Sequence, residues 1–139
     1  MARRSDQRRG AVFALYQHDL TGRPLEDTLP RDAAPFTRAL AQATLARQPE
    51  LDELIGRFAE GWSLQRIAPL ERSILRTSLL EMLHPGDVPG ERAIPPEGAI
   101  SEAVETAKAY CGAEAPAFVN GILAAVLRDQ QSTANGSGV

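Results

Sequence analysis

The sequence predicts an all-α fold, either one helical bundle or a pair of small bundles sharing a central helix. Apolar residues recur at three- and four-residue spacing in several segments, and no run alternates with the two-residue period of a strand. Hydrophobic residues make up 43% and charged residues 24% of the chain, a balance typical of a soluble globular protein. With 139 residues, one core is expected. We predict a helical domain over 1–129 and a disordered polar tail over 130–139.

A first helix is predicted from about Gln7 to Leu20, because its apolar residues share one face. Gly22 and Pro24 supply the stop, since glycine accepts a left-handed cap and proline cannot continue a helix. Four arginines open this helix against a single acid, Asp6, and they are Arg3, Arg4, Arg8 and Arg9.

Prolines mark the starts of the next two helices. Pro35 begins a run that carries Phe36 on its apolar face, and Pro49 is placed as the first residue of a third helix that Gly61 ends. Trp62 is expected to pack beneath that turn.

The most apolar segment begins at Pro69 and is predicted to be the central helix. Its wide apolar stripe requires neighbours on two sides. The remaining face is expected to be exposed, and it carries Arg72, Arg76, Thr77, Leu80 and Glu81.

Glycine and proline are dense from His84 to Gly98, which predicts an irregular connector. A helix is expected to resume near Ala99, and a last helix to follow Pro116. Asn-Gly pairs usually indicate a hairpin, but helical spacing continues on both sides of Asn120, which favours a helix here.

No catalytic constellation, cofactor motif or metal-ligand spacing is recognisable in the sequence. Cys111 is the only cysteine, so neither a disulfide within the chain nor a thiolate cluster is expected. A Cys-His nucleophile site would require Cys111 to meet His18 or His84, and scattered residues of this kind are more often structural. No apolar run is long enough to span a bilayer, and we expect a cytoplasmic, non-enzymatic protein that does not bind membranes.

The arginine segment is the strongest functional signal, because guanidinium groups bind phosphate in a bidentate manner and stack on unpaired bases. The formal net charge is only -3, so an RNA site has to be local. By charge alone, an ordinary solvated N-terminus is the more frequent explanation.

Taken together, several segments resemble the NusB family of transcription antitermination factors. The matching segments are 3–4 (RR), 11–17 (AVFALYQ), 70–76 (LERSILR), 79–81 (LLE), 99–105 (AISEAVE), 107–108 (AK) and 118–123 (FVNGIL). They occur in the family's order and span nearly the whole chain. The FVNG segment is the most specific of them.

The resemblance implies seven helices in two small bundles and binding of boxA RNA in nascent ribosomal transcripts. It also implies joint binding with NusE, a small-subunit ribosomal protein, and action with NusA and NusG to make RNA polymerase resist termination. The implied RNA-binding residues are Arg3, Arg4, Arg8, Lys108, Phe118 and Asn120. Phe118 could equally belong to the core, since it also lies on an apolar stripe.

For the protein partner, we predict the exposed face of the central helix together with the first helix. The predicted partner-binding residues are Tyr16, Arg76, Leu80 and Glu81. A homodimer is also possible. Two features depart from the family pattern: the connector 86–98 is longer than the usual link, and Ser5 and Asp6 replace frequent basic residues.

Two alternative functions remain. The RNA-binding domain of a ribosomal-RNA methyltransferase has the same fold, but that enzyme also carries a cofactor-binding domain with a glycine-rich loop. A helical adaptor that binds only protein is the second alternative, which the acidic net charge leaves open.

Overall fold

The computed structural model describes residues 3–89 and 93–136, and these residues form helices without strands. The α-helices are α1 (Arg4–Thr21), α2 (Leu25–Thr28), α3 (Pro35–Ala46), α4 (Gln48–Phe58), α5 (Pro69–Leu83), α6 (Pro96–Tyr110) and α7 (Ala115–Gly136). Two short 3₁₀ helices flank α5, at Leu64–Arg66 and Pro85–Asp87. No described helix combines the length and the apolar character required to cross a membrane.

Helix α5 lies at the centre, as the sequence predicts. It packs against α1, α3, α4, α6 and α7. Helix α1 also packs on α2 and α3, and α7 packs on α4 and α6. The prediction of two small bundles sharing a core is therefore confirmed, with α5 common to both.

Helix α1 begins among the arginines, as expected. Arg3 is its extended N-cap residue, and Gly22 ends it in the left-handed conformation with φ 74°. The Gly22 amide donates to the His18 carbonyl at 2.9 Å, which satisfies one of the last free carbonyls of the helix. The arginines thus occupy the first turns of a regular helix.

The expectation that one face of α5 is exposed is wrong. All residues from Ser73 to Glu81 are buried, so the helix is covered on every side. Leu80 is fully buried, and Arg76 and Glu81 are only 5% and 7% exposed. Two buried charges are tolerated here because each has an ion-pair partner on another helix.

The predicted connector contains more order than its composition indicates. Pro85–Asp87 forms a 3₁₀ turn, and Val88 is buried against the core. Helix α6 begins at Pro96, three residues before the expected start at Ala99, since proline is well suited to the first turn. Residues 90–92 lie outside the described part of the chain.

The last helix continues beyond the predicted boundary at residue 129. Helix α7 runs to Gly136, and its residues 130–134 are exposed. Extending a formed helix costs little per residue, and the added segment contains good helix formers such as glutamine and alanine. Residues 137–139 of the predicted tail lie outside the described residues.

Candidate nucleic-acid interface

Arg4 and Arg8 lie on the same side of α1, over the ring of Phe36 in α3. Their guanidinium carbons lie 4.0 and 5.3 Å from the ring centroid, within the range of cation–π contact. One helical turn separates the two residues, as predicted for a shared face. The structure therefore brings these two predicted RNA-binding residues together, but against a neighbouring helix.

Arg8 is held in an ion pair with Glu81 of α5. Its Nε donates to both carboxylate oxygens of Glu81, at 2.8 and 3.1 Å. The two side chains are only 12% and 9% exposed. Arg8 is thus part of the packing between α1 and α5, and its accessibility to phosphate is small.

The environment of Glu81 has opposing electrostatic effects. Burial raises the pKa of Glu81 above its usual value, while the hydrogen bond and charge of Arg8 lower it. Glu102 of α6 raises it further by repulsion, although Glu102 itself accepts a hydrogen bond from Ser5 Oγ at 2.7 Å. The net effect is a raised pKa, because desolvation disfavours the charged carboxylate.

Arg9 points to a different part of the molecule. Its guanidinium carbon lies 5.6 Å from the ring centroid of Tyr110, at the end of α6. Phe13, one turn further along α1, meets the same ring edge-to-face at 4.9 Å. Tyr110 is 49% exposed, and the buried Nε of Arg9 has no hydrogen-bond partner within the described residues.

Two of the other predicted RNA-binding residues, Lys108 and Asn120, lie on either side of the junction between α6 and α7. Lys108 is in the last turn of α6, 60% exposed and 3.4 Å from Glu105. Asn120 is exposed in the second turn of α7, and Arg3 is exposed at the N-cap of α1. Arg9 reaches this junction through Tyr110, whereas Arg8 is paired with Glu81 on α5.

Phe118 takes an intermediate position between the two predicted roles. Its side chain is partly buried against the core, and its ring lies 6.1 Å from that of Trp62 at an interplanar angle of 67°. Trp62 does not pack beneath its turn as predicted. It is 51% exposed, and it follows Gly61, whose φ of 76° is the left-handed conformation that glycine adopts readily.

Sequence reasoning therefore missed Tyr110 and Trp62 as exposed aromatic residues, and the partly buried Arg9 as the cation beside Tyr110. Arg9 belongs to the arginine cluster, but the sequence alone does not show that it points toward a different helix from Arg8. Tyr110 lies two residues after Lys108. A lysine close to an aromatic residue at the end of a helix is the sequence feature that could have indicated this site.

The predicted partner-binding set is only partly accessible. Tyr16 is half-buried, whereas Arg76, Leu80 and Glu81 are buried in the described structure. Arg76 is paired with Asp52 at 2.6 Å and lies 3.5 Å from Asp19. The prediction that Arg76, Leu80 and Glu81 are exposed is wrong. The charged residues Arg76 and Glu81 form buried ion pairs and do not face solvent.

The alternative of a Cys-His nucleophile finds no support in the geometry. His18 lies 2.6 Å from the Arg23 carbonyl, and His84 lies 2.8 Å from Glu50. Burial raises the pKa of the Cys111 thiol, and the charge of Glu71 adds to this effect. A nucleophilic cysteine requires the opposite shift.

We therefore expect Cys111 to react with iodoacetamide more slowly than free cysteine at neutral pH, since less of it is thiolate. Mass spectrometry of timed samples measures the rate. Replacing Glu71 by glutamine is expected to accelerate alkylation. A rate in the native protein equal to that of free cysteine would contradict this assignment.

Comparisons with known proteins identify the family. The family model described as "NusB family" matches residues 5–128. A transcription antitermination protein NusB from Rubrobacter xylanophilus is 39% identical over 129 residues, covering 88% of each chain.

Solved structures with similar folds include T. maritima NusB, at 29% identity and a TM-score of 0.79, covering 91% of this chain and 92% of the other. The antitermination factors NusB and NusE in complex with double-stranded RNA give a second match. It has 24% identity and a TM-score of 0.75, covers 91% of this chain and 96% of the other, and shows a shared fold. The match to the family model and the similarity to the Rubrobacter protein show that this chain belongs to the NusB family of transcription antitermination proteins.

Proposed function

We propose that this protein binds boxA RNA of nascent ribosomal transcripts together with NusE, in the cytoplasm, and helps RNA polymerase resist termination with NusA and NusG. Membership of the family supports this function. The single observation that carries RNA binding is the arrangement at the α6–α7 junction. There, Arg9 lies over the exposed ring of Tyr110 with its buried Nε unpartnered in the described structure.

The proposed contact surface consists of Arg3, Arg9, Lys108, Tyr110, Phe118 and Asn120. Arginine and lysine supply cations for phosphate, and aromatic rings supply surfaces for unpaired bases. Because the chain is acidic overall, this local set and the protein partner have to provide the attraction. Arg4 and Arg8 act in this proposal as supports of α1, through Phe36 and Glu81.

The partner surface is proposed to include Tyr16, the most accessible member of the predicted set. The NusB relative solved with NusE and RNA has the same fold as this chain. Arg76, Leu80 and Glu81 would contribute to this surface only by holding α5 in position.

The RNA-binding proposal is tested by titrating labelled boxA RNA with the protein, with and without NusE, at several salt concentrations. We expect tighter binding with NusE. Replacing Arg9 by alanine is expected to weaken binding about tenfold and to reduce the slope of log affinity against log salt by about 0.7–0.9, because one phosphate contact is lost.

Arg57→Ala is a suitable control, since Arg57 is exposed on α4 and lies beside Gln130, late in α7. It also removes one positive charge, and it is expected to leave both the RNA affinity and the slope of log affinity against log salt nearly unchanged. Equal losses in the two variants would indicate nonspecific attraction. If the protein captured NusE but no RNA, the protein-binding adaptor would be the better description.

A further inference from the structure

An open cleft of about 130 Å³ lies beside the proposed RNA surface, where the start of α7 meets the segment before α5. Trp62 and Phe118 form its aromatic walls, and the buried Ile67 and Ala115 contribute apolar lining. Tryptophan normally buries most of its large ring, whereas Trp62 is 51% exposed. A planar apolar ligand would cover this exposed ring.

The rim of the cleft is polar and carries both charges. Arg66, Glu71 and Glu114 line it, which gives two carboxylates for one guanidinium. This balance disfavours a phosphate group in the cleft itself. It favours a flat ring with hydrogen-bond donors at its edge, because carboxylates accept from the exocyclic amino groups of bases.

The cleft adjoins the α6–α7 junction that is proposed to bind RNA. Glu114, which lines the cleft, belongs to the short segment 111–114 that joins α7 to Tyr110, over which Arg9 lies. A strand whose phosphates contact Arg9 and Lys108 would have to extend across this segment to place an unpaired base on Phe118 and Trp62. This proximity favours a base over a peptide as the occupant.

We propose that this cleft binds one unpaired RNA base, with Trp62 as a stacking platform beside Phe118, and that it favours bases with an exocyclic amino group. The inference rests on the proposed RNA-binding function. It adds a residue and a base preference that the arginine cluster does not supply.

The experiment uses the full chain, with labelled oligocytidylate and oligouridylate of equal length as probes. Cytosine carries an exocyclic amino group where uracil carries a carbonyl, so the carboxylates at the rim should favour cytosine. Replacing Trp62 by leucine is expected to weaken binding of oligocytidylate about 5- to 150-fold, the range for loss of one base–aromatic contact. Trp62→Phe should retain most of the affinity, since a ring remains.

Trp62 is the only tryptophan in the sequence, so intrinsic fluorescence reports directly on this cleft. Oligocytidylate is expected to quench it. Leu20→Ala is a matched control, because Leu20 is another exposed apolar side chain, at the far end of α1. Circular dichroism checks that each variant remains folded.

The outcomes separate this inference from the proposed function. If Arg9→Ala weakens binding and Trp62→Leu does not, the cleft does not bind a base and the RNA function stands. If fluorescence changes with NusE but not with RNA, the occupant is a protein segment and the inference is overturned. Oligouridylate bound as tightly as oligocytidylate would overturn the base preference, and no binding of either these probes or boxA RNA would overturn the function as well.

Discussion

Replacing Asp52 by alanine is expected to lower the free energy of unfolding by about 3 kcal/mol, because it leaves a buried guanidinium without its main partner. Asp52 on α4 accepts hydrogen bonds from Arg76 Nε at 2.6 Å and Nη2 at 3.1 Å. Asp19 of α1 lies 3.5 Å from Arg76 Nη1 and remains in the variant. The loss is therefore placed at the low end of the range for a broken buried pair.

Denaturant unfolding followed by circular dichroism measures this effect as a shift of the midpoint. Glu53→Ala is the matched control, since Glu53 is the neighbouring exposed acid on the same helix. It is expected to change stability by no more than about 0.5 kcal/mol. An Asp52 variant as stable as this control would show that the pair contributes little.

A second variant separates the ion pair from the space that it fills. Replacing Arg76 by methionine and Asp52 by leucine together removes both charges and keeps apolar volume. This double variant is expected to be more stable than Asp52→Ala, because no unpaired charge remains buried. Equal instability would indicate that shape, and not charge, is critical at this position.

The sequence was sufficient to predict the helices because their apolar residues repeat with the helical period. The central position of α5 followed from its wide apolar stripe, and the helical conformation of Asn120 and Gly121 followed from the spacing around them. These features are local in sequence. Propensity and periodicity therefore carry enough information to locate them.

The site was harder to predict, because its accessibility depends on contacts between distant residues. Asp52 and Arg76 are 24 positions apart, and Arg8 and Glu81 are 73 apart. In each pair, a charged residue that the sequence suggests is exposed to solvent is in fact buried. Arg8 and Arg9 are adjacent in sequence, yet a rotation of about 100° per residue points them at different helices.

Replacing Arg8 by alanine is expected to destabilise the protein in a pH-dependent way. Glu81 would stay buried without its cation, so the pKa of its carboxyl would rise further above the ordinary value of 4.5. For a carboxyl with a raised folded-state pKa, stability is fully present below the unfolded-state pKa. It is lost as the pH rises through the folded-state pKa.

At neutral pH, the loss in free energy of unfolding is expected to reach about 3 kcal/mol, and it should shrink as the pH approaches 4.5. Urea unfolding at a series of pH values measures it. In the double variant Arg8→Ala/Glu81→Gln, the added pH dependence should disappear, since no carboxyl is left to titrate. A loss in Arg8→Ala that is equal at every pH would refute the role given to Glu81.

The same variant distinguishes support of the helix from contact with RNA. With the protein kept folded, Arg8→Ala is expected to retain the salt dependence of RNA binding, because Arg8 is bound to Glu81 and only 12% exposed. Arg9→Ala should reduce that dependence by about one phosphate contact. If Arg8→Ala reduced it as much, Arg8 would have to exchange Glu81 for phosphate on binding. Glu81 would then be left unpaired in the complex, and its carboxyl would take up a proton when RNA binds.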